Sequence, residues 1–265
     1  MNDFTLHTYR QLLQALKNAG YLFLTFEEWC ESNKPDKFVI LRHDIDNKPQ
    51  NALTFARIEN ELGIKASYFF RTSNKILIPE IIKTIQLLGH EIGYHYRDLV
   101  DASGNIEKAI KLFETNLSKF RSIAKIKTIS MDGCPWSKFD NRELWNDFNY
   151  HDFGIIGEPY FDFLKLDNVH YFTDTGRMWN GDKYNIRDKV DNHLKQQIND
   201  KSTSYSKIHN TFDFVKWLKS GKIPDIIMIN THPQRWTDNK IEWFIEFIGQ
   251  NTKNIIKHFI TSFRE

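Results

Sequence analysis

Short apolar runs of strand length alternate with helical segments along this chain. Apolar residues at steps of three and four predict helices, such as those over Ala52–Leu62 and Ile106–Phe120. Because strands that alternate with helices form parallel sheets, the pattern predicts an α/β fold whose sheet is covered by helices on both faces or curls into a barrel. The seven candidate strands are Phe38–Leu41, Ser67–Phe70, Glu91–Tyr94, Lys127–Ser130, Phe153–Ile156, Val169–Phe172 and Ile226–Ile229.

Length, charge and motif content narrow the class of protein. A chain of 265 residues can bury a large core without a disulfide or a structural metal. Its 36 basic and 34 acidic residues are interspersed, which argues against a nucleic-acid partner. The apolar runs are far shorter than the roughly twenty residues that span a bilayer, so we expect no membrane span. The sequence has no Gly-x-Ser-x-Gly elbow and no P-loop, which leaves serine-hydrolase and nucleotide-phosphate chemistry unsupported.

The chain is interpreted as one domain over residues 1–265, because no linker or repeat interrupts it. We expect residues 1–37 to form a helical extension packed on the barrel and residues 180–220 to form an insertion or lid. The N-terminus lacks the pattern of a secretory signal, and Cys30 and Cys134 suggest no disulfide framework. Both features favour a cytoplasmic protein, whereas the oligomeric state is left open.

Ionisable side chains cluster directly after the candidate strands. Because the carboxyl ends of parallel strands meet at one edge of a sheet or one mouth of a barrel, we expect these side chains to share a pocket. They are Arg42, His43, Asp44 and Asp46 after the first strand, Arg71 after the second, His95 after the third, Asp132 after the fourth, Asp174 and Arg177 after the sixth, and His232 after the seventh.

Asp44 and Asp46 are separated by one residue, so on a strand their side chains point to the same side. A divalent cation held by one of them would leave the other to accept a proton from water. The same residues also suit a turn that caps a helix beginning near Pro49. The spacing alone leaves both interpretations open.

Four further residues extend the candidate site. His232 is placed to give a proton to a leaving group, or is an ordinary loop histidine. Arg177 offers a guanidinium to a substrate carboxylate or phosphate, or forms a salt bridge. Tyr94 and Trp236 are candidates for lining a sugar-sized groove, with core packing as the alternative.

Four motifs follow one another between residues 38 and 236: Leu41–Asp46, Ala66–Phe70, Gly89–His95, and His232 after the last apolar strand. Their order and spacing resemble the polysaccharide deacetylase superfamily, which is carbohydrate esterase family 4 with NodB homology. The segments Asp174–Trp179 and His232–Trp236 are similar to its WbmS-like branch, which is associated with bacterial surface-polysaccharide gene clusters. The resemblance implies a distorted (β/α)7 barrel and metal-dependent removal of an acyl group from a sugar.

The resemblance also implies roles for individual residues. Carried over position by position, Asp44 is the general base, Asp46 and His95 are metal ligands, and His232 is the general acid. The second histidine of the family falls at Leu99, which binds no metal. A third ligand is therefore expected from elsewhere in the chain.

Three residues are candidates for the third ligand: Asp132, His232 and His43. We favour Asp132, because its strand end adjoins that of His95 and because the related branch carries a histidine at that place. A carboxylate in place of an imidazole makes the site harder. We expect one divalent ion, with Zn²⁺ as the first choice and Mn²⁺ or Co²⁺ as alternatives.

The sequence thus predicts a metal-dependent carbohydrate deacetylase or deformylase. Its expected substrate is an amino sugar carried by a sugar nucleotide or a lipid-linked precursor of a bacterial surface polysaccharide. Two alternatives stay open: a non-catalytic carbohydrate-binding relic of the same fold, and a glycoside hydrolase that uses the paired carboxylates.

Overall fold

Seven parallel strands form one sheet in the computed structural model, which describes residues 2–179 and 208–262. The strands are β1 (Leu22–Leu24), β2 (Phe38–Ile45), β3 (Ser67–Phe70), β4 (Glu91–Tyr96), β5 (Ile129–Met131), β6 (His170–Thr173) and β7 (Ile226–Thr231). The helices in these ranges are α1 (Leu6–Asn18), α2 (Phe26–Glu31), α3 (Pro49–Glu61), α4 (Pro79–Leu87), α5 (Asp98–Asp101), α6 (Ile106–Arg121), α7 (Pro159–Asp162), α8 (Thr211–Lys219) and α9 (Lys240–Ser262).

The sheet has the order β5-β4-β3-β2-β7-β6, with β1 paired to the first part of β2. All eight residues of β2 are buried, and both edges of the strand are paired, one with β7 and the other with β1 and β3. The sheet curls into a half-barrel with helices around it, an α/β architecture compatible with the barrel-like fold that the sequence predicts. β2 thus lies near the middle of the curl, with its carboxyl end at the mouth.

Local sequence explains where the helices begin and turn. α1 starts at a capping box, in which the side chains of Thr5 and Thr8 each accept a hydrogen bond from the other's backbone N–H. α3 and α4 start with Pro49 and Pro79, which lack the N–H that a first helical turn leaves unpaired. After α4 the chain turns back into β4 through Gly89, whose φ of +91° favours glycine.

Close packing within the sheet constrains β4. A Cβ added to Gly93 would overlap the ring of Phe69 on the neighbouring strand. At the amino end of the same strand, the buried Glu91 carboxylate accepts hydrogen bonds from the hydroxyl of Ser67 and the backbone N–H of Glu27 in α2. β4 is therefore fixed by an aromatic ring in its middle and by a buried carboxylate at its base.

The structure differs from the expected elements in three places. Phe153–Ile156 is not a strand, because a 3-10 helix ends there at Gly154 with φ of +69°. Leu22–Leu24 is a strand of the sheet, so the segment 1–37 is more than a helical extension. The apolar spacing over Ile241–Ile248 and Ile255–Ile260 predicts two helices, but the structure has one continuous helix there, α9.

Only part of the expected insertion or lid at 180–220 can be compared, because residues 180–207 lie outside the described residues. Its C-terminal part contains α8, which packs against α1. No helix in the described ranges is long and apolar enough to cross a bilayer.

Candidate metal centre and active site

A cavity of about 620 Å³ opens at the carboxyl end of the sheet. Five strands place ionisable side chains around this cavity at their carboxyl ends, as the sequence predicts. Among the residues that line it are Asp44, Asp46, Arg71, His95, Asp132 and His232.

Three of these side chains form a group with metal-ligand geometry. Asp46 follows β2, His95 lies in β4 and Asp132 follows β5, and each offers one ligand atom within 4.8 Å of the others. His95 Nδ1 lies 3.0 Å from the carbonyl oxygen of Ser130. Since a carbonyl only accepts, Nδ1 carries the hydrogen, and Nε2 presents its lone pair 3.6 Å from Asp46 Oδ1.

The carboxylates of this group suit a cation. Asp46 Oδ1 and Asp132 Oδ2 are buried, and each lies 2.7 Å from a cationic nitrogen, Arg71 Nη2. Burial opposes ionisation of Asp132, but Arg71, His95 and Arg97 outweigh it and hold its pKa below the usual value. Two carboxylates and one imidazole are a donor set for Zn²⁺, Mn²⁺ or Co²⁺. The residues present therefore fit one divalent ion.

Asp44 sits beside this group but is held differently. Its carboxylate accepts two hydrogen bonds from Arg42, at 2.9 Å from Nε and 2.8 Å from Nη2, and a third from Asn230 at 2.8 Å. Burial alone would raise the pKa of Asp44. The positive charges of Arg42, His95 and His232 have the larger, opposite effect, so the pKa lies well below its ordinary value. Asp44 is an anion at the cavity wall, oriented by a fully buried arginine.

His232 reaches the cavity from the end of β7 and is oriented by a buried carboxylate. Its Nδ1 lies 2.6 Å from Asp174 Oδ1, and its backbone N–H donates to Asp174 Oδ2. Asp174 also accepts hydrogen bonds from Arg235 and from the indole of Trp236. Because Nδ1 donates its hydrogen bond to Asp174, Nε2 is the ring nitrogen that faces the cavity, where it lies 3.9 Å from Asp46 Oδ2.

The electrostatics of Asp174 fit this role. Burial raises its pKa, but Arg235 and His232 exceed that effect and lower it overall. The pair has the geometry of a general acid and its orienting carboxylate.

The three residues expected to bind substrate lie elsewhere, which corrects that prediction. Tyr94 is fully buried, stacks on Phe113 and donates its hydroxyl to Asp98. Trp236 is fully buried and supports Asp174. Arg177 is buried with its guanidinium over aromatic rings that include Trp243. Tyr94 and Trp236 donate to buried carboxylates, Arg177 Nη1 donates to the carbonyl of Trp243, and none of the three belongs to the cavity lining.

The other candidates for the third ligand are also placed by the structure. His43 is fully buried on the opposite face of β2 from Asp44, where it bonds Glu59 and Thr231. His232 lines the cavity but is outside the three-residue group. Asp132 is therefore the candidate whose position agrees with the sequence-based choice.

Four functional positions gain a role only from the coordinates. Arg42 orients Asp44, Asp174 orients His232, and Arg71 contacts two of the three candidate ligands. Trp136 is 53% exposed at the cavity lining. The strand-end pattern marks Arg42, Arg71 and Asp174 as polar residues of the mouth. The partners of Arg71 and Asp174 follow other strands and are not visible in the sequence, whereas Asp44 lies two residues from Arg42 in β2.

Fold and site together define an α/β half-barrel protein with a candidate metal triad, a separate carboxylate and an oriented histidine in one cavity. No protein-family model matches the chain, and no curated protein matches it. The similarity to the polysaccharide deacetylase superfamily accordingly rests on the motifs alone.

Proposed function

We propose that this protein is a metal-dependent deacylase that removes an N- or O-linked acetyl or formyl group from an amino sugar. The observation that carries the proposal is the meeting of Asp46, His95 and Asp132 with Asp44 and His232 in one cavity. In this proposal the half-barrel is a single-domain distorted (β/α)7 barrel of the polysaccharide deacetylase type. The substrate is a sugar-nucleotide or lipid-linked precursor of a bacterial surface polysaccharide, handled in the cytoplasm.

Asp46, His95 and Asp132 would hold the ion. A bound Zn²⁺-like ion polarises an acyl carbonyl and increases the acidity of water. The protein contributes the pre-formed ligand set, with His95 oriented through the carbonyl of Ser130.

Asp44 and His232 divide the proton transfers. Asp44, held by Arg42 and Asn230, accepts a proton from the attacking water while the water oxygen forms a bond to the acyl carbon. The bond from that carbon to the sugar nitrogen or oxygen then breaks, and His232 Nε2 donates a proton to the departing atom. The products are the free acid and the amine or alcohol.

The shape and lining of the cavity support a carbohydrate substrate. A volume of about 620 Å³ accommodates a sugar with part of its carrier. The exposed indole of Trp136 offers an apolar face to a sugar ring. Charged and amide side chains such as Arg97 and Gln234 on the same lining suit hydroxyl groups.

The glycoside-hydrolase alternative is less well supported. A glycosidase needs a carboxylic acid whose pKa is raised, so that it can protonate the leaving oxygen. The pKa values of Asp44 and Asp132 are lowered instead. The carboxyl groups with raised pKa values, including Glu91 and Glu158, are buried away from the cavity lining.

Metal analysis combined with acetate release tests the proposal. Purified wild-type protein is expected to bind one divalent ion per chain and to release acetate from N-acetyl amino sugars. Asp46→Asn should lose both properties, and Asp44→Asn should keep the ion but lose turnover. Asp225→Asn is the matched control, since Asp225 is exposed and precedes β7 at the end opposite the cavity. Wild-type protein without bound metal and without acetate release would overturn the proposal.

A further inference from the structure

Arg71 occupies an unusual position between the candidate metal ligands. It follows β3, and its Nη2 lies 2.7 Å from Asp46 Oδ1 and 2.7 Å from Asp132 Oδ2. These two residues supply two of the three ligands of the candidate triad. A single guanidinium nitrogen therefore bridges the carboxylates that a divalent ion would bridge.

Arg71 holds the two carboxylates through one nitrogen. Its Nη2 lies 2.7 Å from an oxygen of each, and its Nε has no hydrogen-bond partner among the described residues. Arg42, in contrast, holds Asp44 through two nitrogens, Nε and Nη2. A guanidinium that shares one nitrogen between two carboxylates is replaceable by a cation of higher charge.

The surroundings of Arg71 leave it room to move. Its side chain is 23% exposed, whereas that of Arg42 is 0% exposed. Arg71 also lines the cavity, so its guanidinium can turn into that space without breaking the core. An ion at the triad and the guanidinium at its present place would be like charges within a few ångströms, which is unfavourable in a buried site.

We propose that Arg71 is a built-in counter-cation of the metal centre, which neutralises Asp46 and Asp132 in the metal-free protein and is displaced into the cavity when a divalent ion binds. This inference rests on the proposed metal-dependent function. Arg71 then sets the metal affinity, because an incoming ion must replace two existing ion pairs. Metals that bind carboxylates weakly are rejected by this competition.

Competition titration of Zn²⁺ against a chromogenic chelator tests the exchange. Arg71→Ala is expected to bind Zn²⁺ at least about tenfold more tightly than wild type, a gain of about 1.4 kcal/mol. Arg10→Ala is the matched control: Arg10 lies on α1, pairs with Glu61 and is absent from the cavity lining. Its removal should change the affinity less than threefold.

A second measurement uses the wild-type chain and does not depend on a variant that folds. Phenylglyoxal modifies accessible arginines, and peptide mass analysis reports each site. Labelling of Arg71 should rise several-fold when Zn²⁺ is added, while labelling of Arg10 on α1 stays constant.

The outcomes separate the two proposals. If Zn²⁺ binds in an Asp46-dependent manner but Arg71→Ala binds it equally or more weakly, the exchange is wrong and the proposed function stands. Unchanged labelling of Arg71 on metal binding also overturns the exchange alone. If neither wild type nor Arg71→Ala binds a divalent ion, both proposals fail.

Discussion

Replacing Asp174 by asparagine tests the orientation of His232 with almost no change in side-chain volume. In the structure, Asp174 Oδ1 accepts from His232 Nδ1 and from Arg235, at 2.6 and 2.7 Å. Oδ2 accepts from the backbone N–H of His232 and from Trp236 Nε1, at 3.0 and 2.8 Å. An asparagine presents an NH₂ group to one of these two pairs of donors. Neither orientation of the amide satisfies all four.

The magnitude follows from what the substitution leaves unpaired. Asp174 is fully buried, and Arg235 would lose the carboxylate that neutralises it, which costs about 3–5 kcal/mol for a buried pair. At roughly 2–4 °C per kcal/mol, Tm falls by about 6–20 °C. Loss of an oriented general acid lowers kcat by a factor of about 10²–10⁴.

Acetate release, metal content and thermal denaturation are measured together. We expect Asp174→Asn to keep its metal, because Asp174 is not among the candidate ligands, and to lose most of its acetate release. Asp225→Asn, an exposed carboxylate at the other end of β7, should match wild type in all three assays. An Asp174→Asn protein with wild-type kcat and Tm would refute the reasoning.

Three further substitutions probe stability and substrate binding. Burial raises the pKa of Glu91 from its usual 4.5 to about 7, so the folded state binds its proton more tightly than the unfolded chain. The protonated Glu91 therefore contributes about 3 kcal/mol to the free energy of unfolding. This contribution is fully present below about pH 4.5 and is lost as the pH rises through about 7. Denaturation at pH 5 and pH 8 should show a smaller loss of stability in Glu91→Gln than in wild type, and an equal loss would contradict the assignment. Gly93→Ala should lower the free energy of unfolding by about 1–3 kcal/mol by overpacking against Phe69, with partial recovery in the double variant with Phe69→Leu. Trp136→Ala should raise KM about tenfold with kcat nearly unchanged, since a lost stacking contact is worth about 1 kcal/mol or somewhat more; an unchanged KM would exclude Trp136 from the sugar site.

The strand-end pattern predicted the placement of the candidate ligands because it depends on chain direction alone. Every strand of a parallel sheet delivers its carboxyl end to the same mouth, whatever the order of the strands. Asp46, His95 and Asp132 come from three strands and still meet there.

The error at Tyr94 has a simple cause, which the sequence already contained. Successive residues of a strand point to opposite faces, so Tyr94 cannot share the face of His95. The same alternation places His43 behind the sheet and Asp44 at the cavity. The alternation therefore excludes Tyr94 and His43 from the face of the sheet that lines the cavity.

Other features lie beyond what the sequence can supply. The partnership of Asp174 with Trp236 joins residues 62 apart, and its directions depend on tertiary packing. β1 has only three residues, too few for a periodic signal, and it is recognised as a strand by its pairing with β2.

β2 lies between the strands that carry two of the candidate metal ligands and the strands that carry the oriented histidine. β4 and β5, on one side, bring His95 and Asp132, whereas β6 and β7, on the other, bring Asp174 and His232. In the proposed deacylation, the separation between the candidate metal ligands and His232 is therefore governed by the curvature of the whole sheet and not by any single loop. If that proposal holds, a substitution far below the mouth that flattens the sheet would leave a protein that binds the ion but does not cleave the acyl bond.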